Sequence, residues 1–200
     1  MRPRTFLKGV VALAASLLLG NVAFAASIAG SPHDFSGRGW GTTELCIFCH
    51  APHNANVTAG TLWNHAATVA TYTLYASPTL SAAVAQPGGV SKLCMSCHDG
   101  TVAIDSYATR TGTTFISGSA ALGTDLTNDH PIAFTFDAAL ATADGGLVTP
   151  ASASLVSTGV PLFSGKLECA TCHNVHDNAL GHFLRVSNAG SGLCLKCHTK

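Results

Sequence analysis

Eight cysteines fall into four CxxC pairs, and a histidine follows every pair at once: Cys46-Ile47-Phe48-Cys49-His50, Cys94-Met95-Ser96-Cys97-His98, Cys169-Ala170-Thr171-Cys172-His173 and Cys194-Leu195-Lys196-Cys197-His198. No cysteine is left over. An even cysteine count in an exported chain ordinarily reads as a disulfide framework, and CxxC pairs can also hold zinc. Neither accounts for a histidine in the same place four times out of four. Covalent haem attachment does. Cysteines three apart on one helical turn share a face and can form thioethers to the two vinyl groups of one porphyrin, and the next histidine lies over that face and reaches the iron. The pattern predicts four covalently bound haem c groups, with His50, His98, His173 and His198 as proximal ligands.

The start of the chain fits an exported protein. Arg2, Arg4 and Lys8 precede an uncharged run from Gly9 to Leu19 and the small-residue site Ala23-Phe24-Ala25, so residues 1–25 read as a secretory leader cut before Ala26. The run is too short for a spanning helix. Gly145 to Phe163 also lacks charge, but Pro150 and Pro161 break it, so no membrane span is expected. The ten basic residues balance ten acidic ones only while Arg2, Arg4 and Lys8 remain; the exported chain is mildly acidic. With no basic stripe, a nucleic-acid partner is not expected. Charged residues make up only 10% of the chain, sparse beside the usual quarter or so, and a largely covered surface would tolerate this.

The second axial ligands follow by elimination, because haem iron in electron-transfer proteins takes a further protein ligand, usually Met or His. After export the remaining methionine is Met95, inside an attachment loop, and the cysteines are consumed by thioethers. Six histidines remain for four positions: His33, His53, His65, His130, His176 and His182. An internal repeat selects among them. The first and third motifs continue as CxxCHxxH, giving His53 and His176, while the second and fourth share the leads Ser91-Lys92-Leu93 and Ser191-Gly192-Leu193. The order is A, B, A, B. Each A motif is preceded by a histidine beside an aspartate, His33 before Asp34 and His130 after Asp129. His33, His53, His130 and His176 are therefore the expected distal ligands, with His65 the second choice and His182 in a non-ligand role. His53 and His176 cannot cap their own haem from three residues along, so each must reach a neighbouring one.

Residues 26–200 are read as one tetrahaem domain made of two haem-pair modules, about 26–105 and 125–200. Pro87-Gly88-Gly89 and Gly145-Gly146 mark turns, and long helical periodicity is lacking. Mostly irregular coil is expected, with a short helical turn at each CxxCH and short strands at Thr71–Tyr75 and Ile132–Phe136. Four closely stacked porphyrins would form much of the core. Phe35, Trp40, Trp63, Tyr72 and Phe134 would pack on them or form protein-only clusters. A chain of this kind should not fold without haem. Asn56-Val57-Thr58 would permit glycosylation.

From Ser31-Pro32-His33-Asp34-Phe35 through Leu62-Trp63-Asn64-His65, Asn128-Asp129-His130-Pro131 and Phe183-Leu184-Arg185 to the closing motif, the sequence resembles the OmcE-type tetrahaem cytochromes, related to the doubled-CXXCH cytochromes. The resemblance implies bis-histidine haems stacked in one line, extracellular filaments built from copies of the chain, and one iron that takes its axial histidine from the adjacent subunit. His33, on an N-terminal arm, is the expected donor across that boundary. The alternative is a soluble periplasmic tetrahaem shuttle that exchanges electrons with other redox proteins. An enzyme would need an iron with an open position, and the supply of histidines leaves none.

Overall fold

The computed structural model describes residues 28–56, 59–150 and 158–199. The predicted leader, and Val57 and Thr58 of the Asn56-Val57-Thr58 site, lie outside the described residues. Regular structure is sparse, as the turn-rich sequence predicts. Helix α1 spans Gly89–His98, α2 Ala138–Asp144 and α3 the single turn Cys169–Cys172. Short 3-10 turns cover Gly118–Ala120, Ala189–Ser191 and Cys194–Lys196. Strands β1 (Phe134–Thr135) and β2 (Lys166–Leu167) pair antiparallel, Phe134 opposite Leu167 and Thr135 opposite Lys166. Among the described residues, no helix is long and apolar enough to cross a membrane.

The alternating segment Ile132–Phe136 forms its strand only at its centre. Thr71–Tyr75 forms none: Thr73 makes one isolated bridge with Asp125. A strand needs a partner over several residues, and the segment has one only where Thr73 exchanges hydrogen bonds with Thr124 and Leu126.

Helix α2 shows how local chemistry sets its bounds. The Asp137 side chain accepts from the Leu140 amide at 2.8 Å, and Gly145 at φ 69° ends the helix in the left-handed region, the usual start and stop signals. Its buried residues Leu140 and Ala141 turn inward. Leu140 joins Phe134, Phe136, Val160 and Leu167 in a core against which Cys197 also packs.

Two further clusters stabilise the other half. Tyr72, Met95 and Leu126 pack together, and Phe48, 1% exposed, lies against Phe35, Trp40 and Tyr107 at ring distances of 5.6, 5.9 and 4.9 Å. Phe35, Trp40, Tyr72 and Phe134 thus sit in protein clusters. Phe48 and Met95 are the variable residues inside two CxxCH motifs, so the attachment loops are themselves anchored in apolar cores.

The two halves are joined where α1 meets α3. The Ser91 hydroxyl donates to the Glu168 carboxylate, and the Cys169 amide donates to Ser91 Oγ at 3.0 Å. Glu168 and Thr171 also complete a reciprocal cap at the start of α3. All of this is buried.

Candidate functional site

Each CxxCH segment closes a turn that brings its histidine back over its cysteines. The amide of His50 donates to the Cys46 carbonyl at 2.8 Å, that of His173 to Cys169 at 3.0 Å and that of His198 to Cys194 at 2.9 Å. The Cys94 motif occupies the last turn of α1. Three of the rings are then fixed from behind. His50 Nδ1 donates to the Thr61 carbonyl at 2.7 Å, His98 Nδ1 to Ala120 at 2.7 Å and His173 Nδ1 to His182 at 2.8 Å. A carbonyl can only accept, so Nδ1 carries the proton and Nε2 presents its lone pair. That is the tautomer a metal-bound imidazole needs, with the outer partner such ligands have.

The A motifs repeat bond for bond. Ala51 N donates to Leu62 O and Asn64 N to Cys49 O in the first; Asn174 N donates to Phe183 O and Arg185 N to Cys172 O in the second. The side chains of Asn64 and Arg185 each reach a carbonyl inside the motif, Ile47 and Ala170, at 2.5 and 2.6 Å. Thr61-Leu62 and His182-Phe183 are both left-handed pairs, φ 53° and 54° against 50° and 55°. His182, which has no counterpart when motifs alone are aligned, thus matches Thr61, and its backbone carbonyl orients His173. Sequence reasoning missed this because the return loops differ in length; the shared signal is the apolar residue that follows, Leu62 or Phe183.

The remaining histidines distribute unevenly. His33 faces His98 with ring centres 6.0 Å apart, His176 faces His50 at 6.1 Å and His130 faces His198 at 6.3 Å. A metal–imidazole bond of about 2.0–2.1 Å, with the ring centre roughly 1.1 Å behind its nitrogen, sets two rings on one ion about 6 Å apart. All three pairs meet that spacing. Burial, reinforced by His98 and His176, lowers the His33 pKa to about 4, so its ring stays neutral. His130 Nδ1 donates to the Pro131 carbonyl at 2.9 Å, freeing Nε2 as in the proximal rings.

His65 is placed otherwise. It is 4% exposed, with Nδ1 2.7 Å from the Ala66 carbonyl and Nε2 3.1 Å from the Ala103 carbonyl. Burial lowers its pKa, so the neutral ring has one N–H and serves one of these carbonyls, and it packs beside Cys97 as a core residue. His53 is exposed, and it meets no other ring among the described residues. His173 makes no ring contact with another imidazole among the described residues, although His130 lines the same cavity. His33, expected to cross a subunit boundary, is instead paired with His98 inside the chain, with its other side stacked on Phe183 at 4.6 Å.

The cysteines also fix the order of the sites in space, which the sequence left open. Burial and the neighbouring Cys49 raise Cys97 to about 12. The Cys94 and Cys169 thiols influence each other, which pushes Cys94 up and holds Cys169 down. Burial and then Cys197 raise Cys172 to about 11. The four sites therefore follow one another in chain order. None of the eight cysteines is in a disulfide, and among the described residues no three His, Cys, Asp or Glu side chains gather into a closed metal site.

Two further observations fit a porphyrin. An apolar cavity of about 240 Å³ lies against Cys169, Cys172 and His173, walled by Leu74, Met95 and Leu126. Trp63, with its ring 6.3 Å from His50, carries a buried indole N–H, the one buried side-chain polar atom among the described residues without a partner. A haem propionate is an acceptor of the kind it lacks.

A family model described as the doubled CXXCH motif matches residues 161–200, the stretch that holds the third and fourth sites. No curated protein matches the chain. The doubled motif and this donor set support a haem-binding, multihaem cytochrome of the c type and suggest a part in electron transfer.

Proposed function

We propose that the chain is exported after loss of residues 1–25, carries four haem c groups with two histidines on each iron, and polymerises into an extracellular filament for long-range electron transport. The observation that carries the reading is the pairing left open within the chain. His176, in the second A motif, reaches back to His50 of the first, at 6.1 Å. His53 is its repeat counterpart, and His173 is the proximal ligand still lacking a partner. Continuing the same handover past the end of the chain sets His53 of one subunit against His173 of the next. Such a contact is heterologous and head-to-tail, and it propagates as a filament wherever the rotation does not close a ring.

Haem iron, when bound, supplies one-electron exchange between its ferric and ferrous states. Two histidines would hold each iron, so its surroundings would change little between the two states and would leave small-molecule substrates no open site. Cys49 and Cys97, Cys94 and Cys169, and Cys172 and Cys197 would bring haems bound at successive motifs near one another. Bis-histidine ligation without a methionine sets the potentials low.

Intact mass and electron microscopy of the secreted protein test this together. The expected result is the processed chain plus four haems, in filaments that His53→Ala converts to monomers with one high-spin haem. Compact wild-type monomers at high concentration would favour the soluble shuttle, and filaments of His53→Ala with an unchanged haem spectrum would remove the assigned contact.

A further inference from the structure

Charge around the four attachment sites is uneven. Asp99 directly follows His98 and is 5% exposed. Its Oδ2 accepts from Thr68 Oγ1 at 2.6 Å and from the Tyr72 hydroxyl at 2.7 Å. Its Oδ1 accepts from the Thr101 amide at 2.7 Å and Thr101 Oγ1 at 2.8 Å. Every donor is neutral. The one ion pair among the described residues is Arg110–Asp105, so the Asp99 charge is solvated by fixed dipoles and cancelled by no cation. An uncancelled charge in a buried setting acts over a longer range than one in water. Its effect is visible at Tyr72, where burial and then the bond to Asp99 raise the hydroxyl to about 12.

The other sites differ. Glu168, buried just before Cys169, would act similarly at the third site, but Arg185 donates to Ala170 inside that same motif and offsets it. The fourth site carries Lys196 between its cysteines. The first has the Trp63 N–H beside His50, and the nearby Glu44 is exposed, where water and salt screen it.

Resting on the four-haem reading above, we propose that Asp99 holds the second attachment site at the lowest reduction potential of the four. Reduction of ferric iron removes one positive charge, and a buried anion beside the proximal histidine opposes that change. Because the second site lies between the first and third, an electron crossing the chain meets its steepest uphill step there. Asp99 would act through electrostatics alone, as a tuning residue that touches no substrate.

The test is a redox titration of the full-length holoprotein followed by nuclear magnetic resonance of the individual haem methyl groups. The wild type should oxidise first at the second site. In Asp99→Asn, the oxidised-to-reduced ratio of that site at fixed potential should fall at least tenfold, about 59 mV for one electron, while exposed Asp144→Asn leaves it unchanged. A smaller change, or a wild type in which another site oxidises first, overturns the proposal. Should Asp99→Asn not fold, the wild-type order alone decides. Fewer than four sets of haem methyl signals would instead count against the four-haem reading.

Discussion

The joint between the two halves can be weighed by removing one oxygen. Ser91 is 0% exposed and Glu168 4%, and the Ser91 hydroxyl both donates to the Glu168 carboxylate and accepts the Cys169 amide at 3.0 Å. Ser91→Ala deletes both contacts in a place water does not reach. A hydrogen bond to a charged group contributes about 1.5–3 kcal/mol, and a buried amide left without an acceptor costs about 1–3 kcal/mol. The Glu168 cap at α3 survives, so part of the carboxylate remains satisfied. The expected loss is about 3 kcal/mol. Guanidinium unfolding of the ferric holoprotein, followed by haem absorbance, measures it. Glu168→Gln and the double variant complete a cycle in which the coupling should be about 1–3 kcal/mol. A loss below about 1 kcal/mol in Ser91→Ala, or strictly additive variants, would refute the idea that this pair ties α1 to α3.

Other outcomes follow from single residues. His33→Ala and His130→Ala should each convert one haem to high spin, seen by electron paramagnetic resonance, while His65→Ala should leave the spin states alone and cost about 1–3 kcal/mol in unfolding, since it abandons a buried carbonyl. Gly112→Ala should destabilise by about 3 kcal/mol, because a β-carbon there would stand 2.2 Å from Asp105 Oδ1; the thermal midpoint reads this. Burial pulls Asp105 up, but bonds from Thr114, Arg110 and Thr113 outweigh it and hold its pKa below the ordinary value. Its stabilisation is therefore complete above the unfolded value of about 3.9 and is lost as pH falls below it. Acid unfolding of Asp105→Asn should be less steep in that window.

The motifs were legible because their chemistry is local. A CxxCH segment needs only one turn to gather its three groups, and all four do so. Helical turns at the motifs and scarce regular structure could also be read in the chain, whereas the proximal ring that each spare histidine lies against could not. What the sequence hid depends on distant partners. Thr71–Tyr75 alternates like a strand but finds one neighbour residue. His65 and His53 look alike as spare histidines, yet the carbonyls of Ala66 and Ala103, one of them far along the chain, take the first into the core. The carbonyls of Thr61, Ala120 and His182 leave no mark in side-chain spelling, since any residue supplies one. His33 was expected to reach outward from an N-terminal arm; burial against His98 and Phe183 holds it in.

The two classes of site differ in what completes them, and that difference ties haem binding to assembly. Both B sites draw on their own half: His33 meets His98 and His130 meets His198. The A sites draw on another half, as His50 does on His176. A half-chain can therefore satisfy its B site alone but never its A site. Two halves in sequence satisfy three sites and leave one proximal histidine and one spare histidine at unlike positions of the repeat. In the proposed filament, these groups at unlike positions of the repeat would pair between copies of the chain. In the filament proposed above, polymerisation would continue the repeat that joins the halves, and the requirement of bound iron for a second imidazole would supply its driving force.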